Sequence, residues 1–329
     1  MTVLVTGGAG YIGSHMVWAL LDRGEEVVVL DRLSTGFDWA VAPEARMIVG
    51  DIGDEALLDD ILPRYKIDAV IHFAGSIIVP ESVSDPLAYY LNNTVKSRAL
   101  IAAAVRHGVR NFVFSSTAAV YGDPEIIPVP EDAPLKPLSP YGTSKLMTEM
   151  MLADVAKAHD FRYAALRYFN VAGADPRGRA GQSTKGATHL IKVAVETALG
   201  RRDGMQVFGT DYDTPDGTAG RDYIHVSDLI AAHVLALDYL RGGGGSLIAN
   251  CGYSRGFSVR EVLRAVERVS GRHLAVSYAG RRAGDSPKVV AVADRVRTIL
   301  HWTPQWDDLD TIVAHALAWE DRLSRRNQT

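Results

Sequence analysis

The sequence predicts an α/β fold, a doubly wound parallel sheet with a smaller C-terminal lobe. Three observations predict it. β-Branched runs alternate with helical patterns from Val3 to about Asn170. One run, Ala69-Val70-Ile71-His72-Phe73-Ala74-Gly75, is continuously apolar, as in a strand covered on both faces. The first run passes through a glycine turn straight into an amphipathic helix.

Bulk properties set the outer limits. The 329 residues are 47% hydrophobic and 22% charged, with a formal net charge of −4. That describes a globular chain of one large domain or two unequal ones. The mild acidity gives no reason to expect a nucleic-acid partner. No apolar run approaches the roughly 20 residues of a membrane span. Thr2-Val3-Leu4-Val5 runs directly into a strand, so no signal peptide is expected. The single cysteine, Cys251, permits no intrachain disulfide and suits a cytoplasmic setting. The histidines show no metal-ligand spacing, so no metal is expected.

Val3 to Thr6 form the first strand. Gly7-Gly8-Ala9-Gly10-Tyr11-Ile12-Gly13 follow, then a helix to about Arg23. Gly7, Gly10 and Gly13 allow a tight turn and close backbone approach. With Tyr11 and Ile12 they place helix N-terminal N–H groups against a pyrophosphate. A second strand, Val27 to Leu30, ends in Asp31, where adenosine ribose hydroxyls would be held. A glycine turn with a surface aspartate is the plainer reading of each feature alone. The strand–turn–helix–strand context favours a Rossmann-type dinucleotide site. A carboxylate at residue 31 repels a 2′-phosphate and so favours NAD over NADP; Arg32 reads as a solvated surface residue.

Met47 to Asp51 form the next strand, whose end brings Asp51 and Ile52 toward the adenine. The 69–75 strand ends in Phe73, Ala74 and Gly75, which would let a cofactor lie against the backbone. A long helix from about Pro86 to His107 carries Asn92 and Asn93. Asn111 to Thr117 form another strand, ending in three hydroxyls. Such a run is ordinarily a strand-end cap. It gains interest because a loop stiffened by Pro124, Pro128, Pro130, Pro134 and Pro137 leads from it to Tyr141.

Ser139-Pro140-Tyr141-Gly142-Thr143-Ser144-Lys145 opens a helix running to about His159. Tyr141 and Lys145 are four apart and share a face. A free phenol titrates near pKa ~10 and is a poor base at neutral pH. A lysine charge at about 6 Å, at an effective dielectric of ~20, is worth roughly 3 kcal/mol, or about two pKa units. A second cation, such as oxidised nicotinamide, would bring the phenol close to neutrality. The expected roles are Tyr141 as base, Lys145 as the group lowering its pKa, and Thr117 as hydrogen-bond partner of the reacting oxygen.

These motifs together resemble the extended short-chain dehydrogenase/reductase family, and within it the UDP-sugar 4-epimerases. The resemblance runs nearly end to end. It is carried by Thr6 to His15, His72 to Gly75, Ser116 to Gly122, Ser139 to Lys145, Leu166 to Asn170, Arg221 to His225 and Arg281 to Asp285. It implies NAD that stays bound through turnover, a UDP-sugar substrate and a homodimer built on the helices near 86–107 and 141–159. It further implies interconversion of UDP-glucose and UDP-galactose through transient oxidation at C4. Among site residues it implies Asn92 and Phe169 beside the cofactor. Asn170, Arg221 and Arg282 would hold the diphosphate, Gln206 and Phe208 the uracil, and Asp285 a ribose hydroxyl. The organisation expected is an NAD-binding domain over residues 1–170 and a mainly substrate-binding lobe over 171–329, with later segments returning to the first.

Three residue choices refine the reading. Family dehydratases place an Asp-Glu pair after the strand-end threonine. Here Ala118 and Ala119 stand there, so elimination of water lacks its acid and base. Ile77 stands where some relatives have a lysine on the cofactor phosphates. Val289 stands where relatives confined to UDP-glucose and UDP-galactose have a tyrosine, which leaves room for an N-acetyl group and hence UDP-GlcNAc/UDP-GalNAc. The alternatives are an epimerase for a UDP-uronic acid or UDP-pentose, and a non-catalytic NAD(H)-binding redox sensor. A sensor could dispense with the Tyr141–Lys145 pair.

Overall fold

The computed structural model describes residues 1–281 and 286–326. Six strands come first: β1 (Thr2–Thr6), β2 (Glu26–Asp31), β3 (Arg46–Val49), β4 (Ile67–His72), β5 (Asn111–Thr117) and β6 (Arg162–Tyr168). The chain then leaves for β7 (Asn170–Ala172), β8 (Met205–Phe208) and β9 (Gly220–His225), and returns for β10 (Leu247–Cys251). It completes the second lobe with β11 (Gly256–Ser258), β12 (Val276–Ala279) and β13 (Lys288–Val289). The central sheet has the order β10-β6-β5-β4-β1-β2-β3, parallel throughout. Strand order reverses between β1 and β4, and a crevice opens at the carboxyl ends of such a pair.

Period-two alternation divides the core. Val3, Val5, Val27, Val29, Ile71, Val113 and Leu166 face one side, with Met16 and Leu20 of the Tyr11–Asp22 helix and Leu229 of the Val226–Arg241 helix. Leu4, Val28, Leu30, Val70, Phe112, Phe114 and Ala165 face the other, with Leu58, Leu100 and Leu152. The first cluster continues into the second lobe through Ile191, Tyr223, Ile224, Trp302 and Ile312. The smaller lobe therefore shares apolar core with the large sheet. Around β9 it builds a second sheet: β11 runs antiparallel to it, and β7 and β13 parallel. β8 and β12 form a separate parallel pair.

Several elements depart from the sequence expectation. The apolar run 69–75 stops being strand at His72, and Phe73 to Gly75 form the loop beyond it. The run 163–170 is two strands: β6 ends at Tyr168, and Asn170 opens β7, which crosses to pair with β9. A short helix, Val79–Ser84, precedes the long one and had no signal beyond Pro80 near its start. The long helix contains a π segment, Tyr90–Val95, between the α segments Pro86–Tyr89 and Lys96–Arg106. No helix among the described residues is long and apolar enough to cross a membrane.

Candidate active site

The β1 turn is shaped so that only glycine fits at its critical points. Gly7 has φ 71°, and a Cβ there would lie 2.6 Å from the Ala74 nitrogen. A Cβ on Gly13 would lie 2.1 Å from the Gly7 carbonyl oxygen. The turn therefore packs backbone to backbone against the loop after β4 and against its own helix, which brings these amides close to the β1/β4 crevice. Gly10 is the N-cap of the Tyr11–Asp22 helix and no side chain caps it, which directs first-turn N–H groups and the positive dipole end to the crevice. The Tyr11 phenol is committed elsewhere, donating to the Gly173 carbonyl at 2.7 Å and tying the turn to the second lobe. Ile12 packs against the core.

Asp31 stands at the end of β2 beside this turn. Its carboxylate accepts from Ala9 N at 3.0 Å and Leu33 N at 2.8 Å, which fixes its position and leaves acceptor capacity for hydroxyls. Asp51 accepts from Gly53 N at 2.8 Å and pairs with Lys96, with Arg32 at 3.8 Å. Burial works to raise this carboxyl, but Lys96, the Gly53 amide and Arg32 together hold it below the usual carboxylate range. Arg32, read as solvated, is therefore partly engaged. Ile52 is buried.

The β4 loop is held by the π segment. An extra residue per turn lets adjacent asparagines face one target: Asn92 donates to Ser76 Oγ at 2.9 Å, and Asn93 donates to the Ser76 carbonyl at 2.9 Å. The Ser76 amide donates to Asn93 Oδ1 at 2.7 Å, and Asn93 reaches Ser144 Oγ at 3.1 Å. Asn93, buried, is thus the positioning asparagine, a role the sequence did not assign. His72 bridges Thr6 Oγ1 at 2.7 Å and Ser97 Oγ at 2.8 Å, an interior histidine held neutral. Burial and the Lys145 charge pull its pKa down to about 3.

Ser139 caps the Pro140–Ala158 helix by accepting from Gly142 N at 3.2 Å, with Pro140 in the first turn, where its missing N–H costs nothing. The cap sets the rotation of Tyr141, Lys145 and Glu149, each four residues on. The Thr117 side chain lies beside the Tyr141 phenol and works to lower its pKa. Thr117 is buried and also accepts from Ala119 N at 3.2 Å. Lys145 donates to the Ser115 carbonyl at 3.0 Å and sits 5.0 Å from the Phe114 ring centre. Burial pulls its pKa down to about 8.

The expected depression of the Tyr141 phenol by Lys145 is not what the fold produces. Burial pushes the phenol above its usual value, and the Thr117 side chain is the opposing influence. Lys145 gives one hydrogen bond to the Ser115 carbonyl and sits over Phe114, and burial lowers its pKa. The pair holds geometry; a base of neutral pKa still needs another positive charge in the crevice.

The remaining predicted residues belong to the segments that lead into and build the second lobe. Phe169 packs against the core beside the 120–129 loop. Asn170 lines a cavity together with Tyr11, His189 and Trp319. Arg221 on β9 stands in register with Val289 on β13 and donates to the Gly220 carbonyl at 2.8 Å and the Ser286 carbonyl at 2.9 Å. On β8 Gln206 is exposed and Phe208 half-buried, alternating with buried Met205 and Val207. Arg282 and Asp285 lie outside the described residues. Among the described residues no cluster of metal-ligating side chains occurs.

Comparison with known proteins follows the same lines. Residues 3–252 match the NAD dependent epimerase/dehydratase family. The chain is 59% identical over 323 residues to a UDP-glucose 4-epimerase of Azospirillum brasilense, covering 98% of this chain and 93% of that one. The structure of UDP-glucose 4-epimerase from Brucella ovis in complex with NAD superposes with a TM-score of 0.94 at 45% identity, over 96% of this chain and 97% of that one. The UDP-Glc/GlcNAc 4-epimerase of Campylobacter jejuni gives 0.86 at 46% identity, over 98% and 99%.

Proposed function

The chain belongs to the NAD dependent epimerase/dehydratase family, and from that premise we propose that it interconverts UDP-glucose and UDP-galactose by transient oxidation at C4. The observation that carries the reading is the convergence of Tyr141, Thr117 and Lys145 at the carboxyl edge of β5, facing the β1/β4 crevice. The crevice fits a dinucleotide: the 7–13 turn would take the pyrophosphate, Asp31 the adenosine ribose, and Asp51 and Ile52 the adenine. Phe73 to Gly75, Asn92, Lys145 and Phe169 would flank the nicotinamide half. NAD, when bound, supplies the acceptor and donor for the C4 hydrogen, and its positive ring supplies the charge that the phenol lacks.

Tyr141 takes the C4 hydroxyl proton and later returns it; Thr117 holds the reacting oxygen in line. Lys145, anchored on the Ser115 carbonyl, keeps donors for ribose hydroxyls. Asn170, Arg221 and Arg282 would tether the diphosphate while the 4-keto sugar turns its other face. Gln206, Phe208 and Asp285 would hold the uridine. Ala118 and Ala119 supply no acid/base pair for elimination, so the oxidised sugar is returned and not dehydrated. The setting proposed is cytoplasmic galactose metabolism. The test is incubation of purified protein with UDP-glucose, no NAD added, followed by NMR. UDP-galactose should form, and Tyr141→Phe should lower kcat by roughly 10² or more. Near-parent activity in that variant removes Tyr141 from the role.

A wider substrate range is favoured by Val289, whose side chain beside Arg221 is small where a tyrosine would narrow the site. UDP-GlcNAc/UDP-GalNAc interconversion is the corresponding activity. Val289→Tyr should lower kcat/KM for the N-acetyl pair selectively; an unchanged preference sinks the steric account. A homodimer is supported by an apolar stripe with exposed Val83, Leu87, Leu91 and Val95, four apart, beside exposed Met147 and Met150. A second copy presenting the same stripe would cover it.

A further inference from the structure

Beneath the proposed site lies a buried ion pair that the chemistry does not use. Glu149 and Arg167 are 3% and 2% exposed. Arg167 Nε donates to Glu149 Oε1 at 2.9 Å and Nη2 to Oε2 at 2.6 Å, a two-pronged clamp. Ser116 Oγ also donates to Glu149 Oε1. Arg167 stands opposite Ser116 in the β5/β6 register.

The pattern of contacts is informative. Three residues on one face of the Pro140–Ala158 helix face three consecutive residues of β5: Lys145 donates to the Ser115 carbonyl, Glu149 accepts from Ser116, and Tyr141 lies beside Thr117. Glu149 makes the contact backed by an opposite charge on the next strand. The same guanidinium reaches the far side of the site. Its Nη1 donates to the Tyr121 hydroxyl at 3.0 Å and the Glu131 carbonyl at 3.1 Å, and Tyr121 donates to Asn250 Oδ1 at 2.7 Å. One clamp thus joins the helix bearing Tyr141, the strand bearing Thr117 and the proline-rich loop between them. A hydrophobic pair of equal volume would hold the layers together as well. It would not fix helix rotation against strand register, which a two-pronged ion pair does.

We propose that Glu149 and Arg167 are positioning residues that set the Tyr141–Thr117 geometry for proton transfer at C4. The inference rests on the epimerase reading above. Three variants test it: Glu149→Gln, the charge-free double variant Glu149→Leu/Arg167→Met, and Tyr141→Phe as reference. Glu149→Gln keeps the acceptor for Ser116 and turns an amide donor toward Arg167. Its kcat should fall roughly 10- to 100-fold, the scale of a misplaced reacting group. KM for UDP-glucose and the content of bound NAD should stay at parent values. The ascending limb of the pH–kcat profile should move to higher pH as the phenol loses its Thr117 partner. The double variant, with no buried charge left unpaired, should unfold near the parent's temperature yet keep the lowered kcat. Parent kcat in the stable double variant, or a loss confined to KM or NAD content, overturns the proposal. If Tyr141→Phe is itself fully active, the epimerase chemistry fails instead, so the two failures are distinguishable.

Discussion

Replacing Lys145 with methionine should make the protein more stable and less active. The ammonium is 4% exposed, and burial pulls its pKa from the usual 10.5 to about 8. Two and a half pH units at about 1.4 kcal/mol each come to roughly 3 to 4 kcal/mol of stability forgone while the group is charged. Methionine keeps the packing of the stem and discards the charge. The Ser115 carbonyl loses a donor, worth about 1 kcal/mol. The net expectation is a gain of about 2 to 3 kcal/mol at pH 7. The sign carries a pH signature. Between pH 8 and 10.5 the unfolded chain binds more protons than the folded one, so parental stability rises with pH across that window. The advantage of Lys145→Met should therefore be full at pH 7 and nearly gone at pH 9.5. Denaturant unfolding of both proteins, freed of nucleotide, measures it. A constant gap between the two pH values refutes the account of Lys145 burial, as does a variant less stable than the parent. The same variant should have lost most of its epimerase activity. A residue kept at a cost to stability is one that chemistry requires.

Two further outcomes test the glycine turn and the dimer. Gly13→Ala should release bound NAD and lower the melting temperature, because its Cβ would lie 2.1 Å from the Gly7 carbonyl oxygen; nucleotide content after gel filtration and thermal unfolding report both. Leu87→Asp combined with Leu91→Asp should convert a dimer to monomers in sedimentation, since those side chains are 77% and 54% exposed in the single chain. An unchanged sedimentation coefficient would move the interface elsewhere.

Elements with one strong local signal were the ones legible in the sequence. The glycine turn followed by a helix, the Asp31 strand end and the Ser139 cap with Pro140 each impose their geometry through two or three neighbouring residues. What escaped depends on distant partners. The run through Tyr168 to Asn170 reads as one strand, yet β9, some fifty residues later, captures Asn170 to Ala172 into another sheet. Nothing local separates an α turn from the π turn at Tyr90–Val95, which Ser76 selects by binding Asn92 and Asn93 together. Glu149 could have been noticed: Tyr141, Lys145 and Glu149 recur every four residues, and Arg167 is the one cation in the buried interior of β6. A cation there demands a buried partner.

The electrostatics of the site follow from those long-range contacts. A phenol and an ammonium four residues apart suggest a simple pair in which the cation acidifies the phenol. Once folded, both groups lie in the same desolvated crevice, which raises the phenol and lowers the ammonium. Each thus moves toward its neutral form, with Lys145 held on the Ser115 carbonyl and Thr117 opposing the rise of the phenol. At the floor of the crevice a buried lysine stands beside a phenol that burial keeps protonated. The Phe73–Gly75 loop and Lys145 would hold the nicotinamide half of a bound NAD, whose positive charge would lower the phenol. The base would then be active only when its redox partner is in place, so proton removal and hydride removal from the sugar are tied to the same bound molecule.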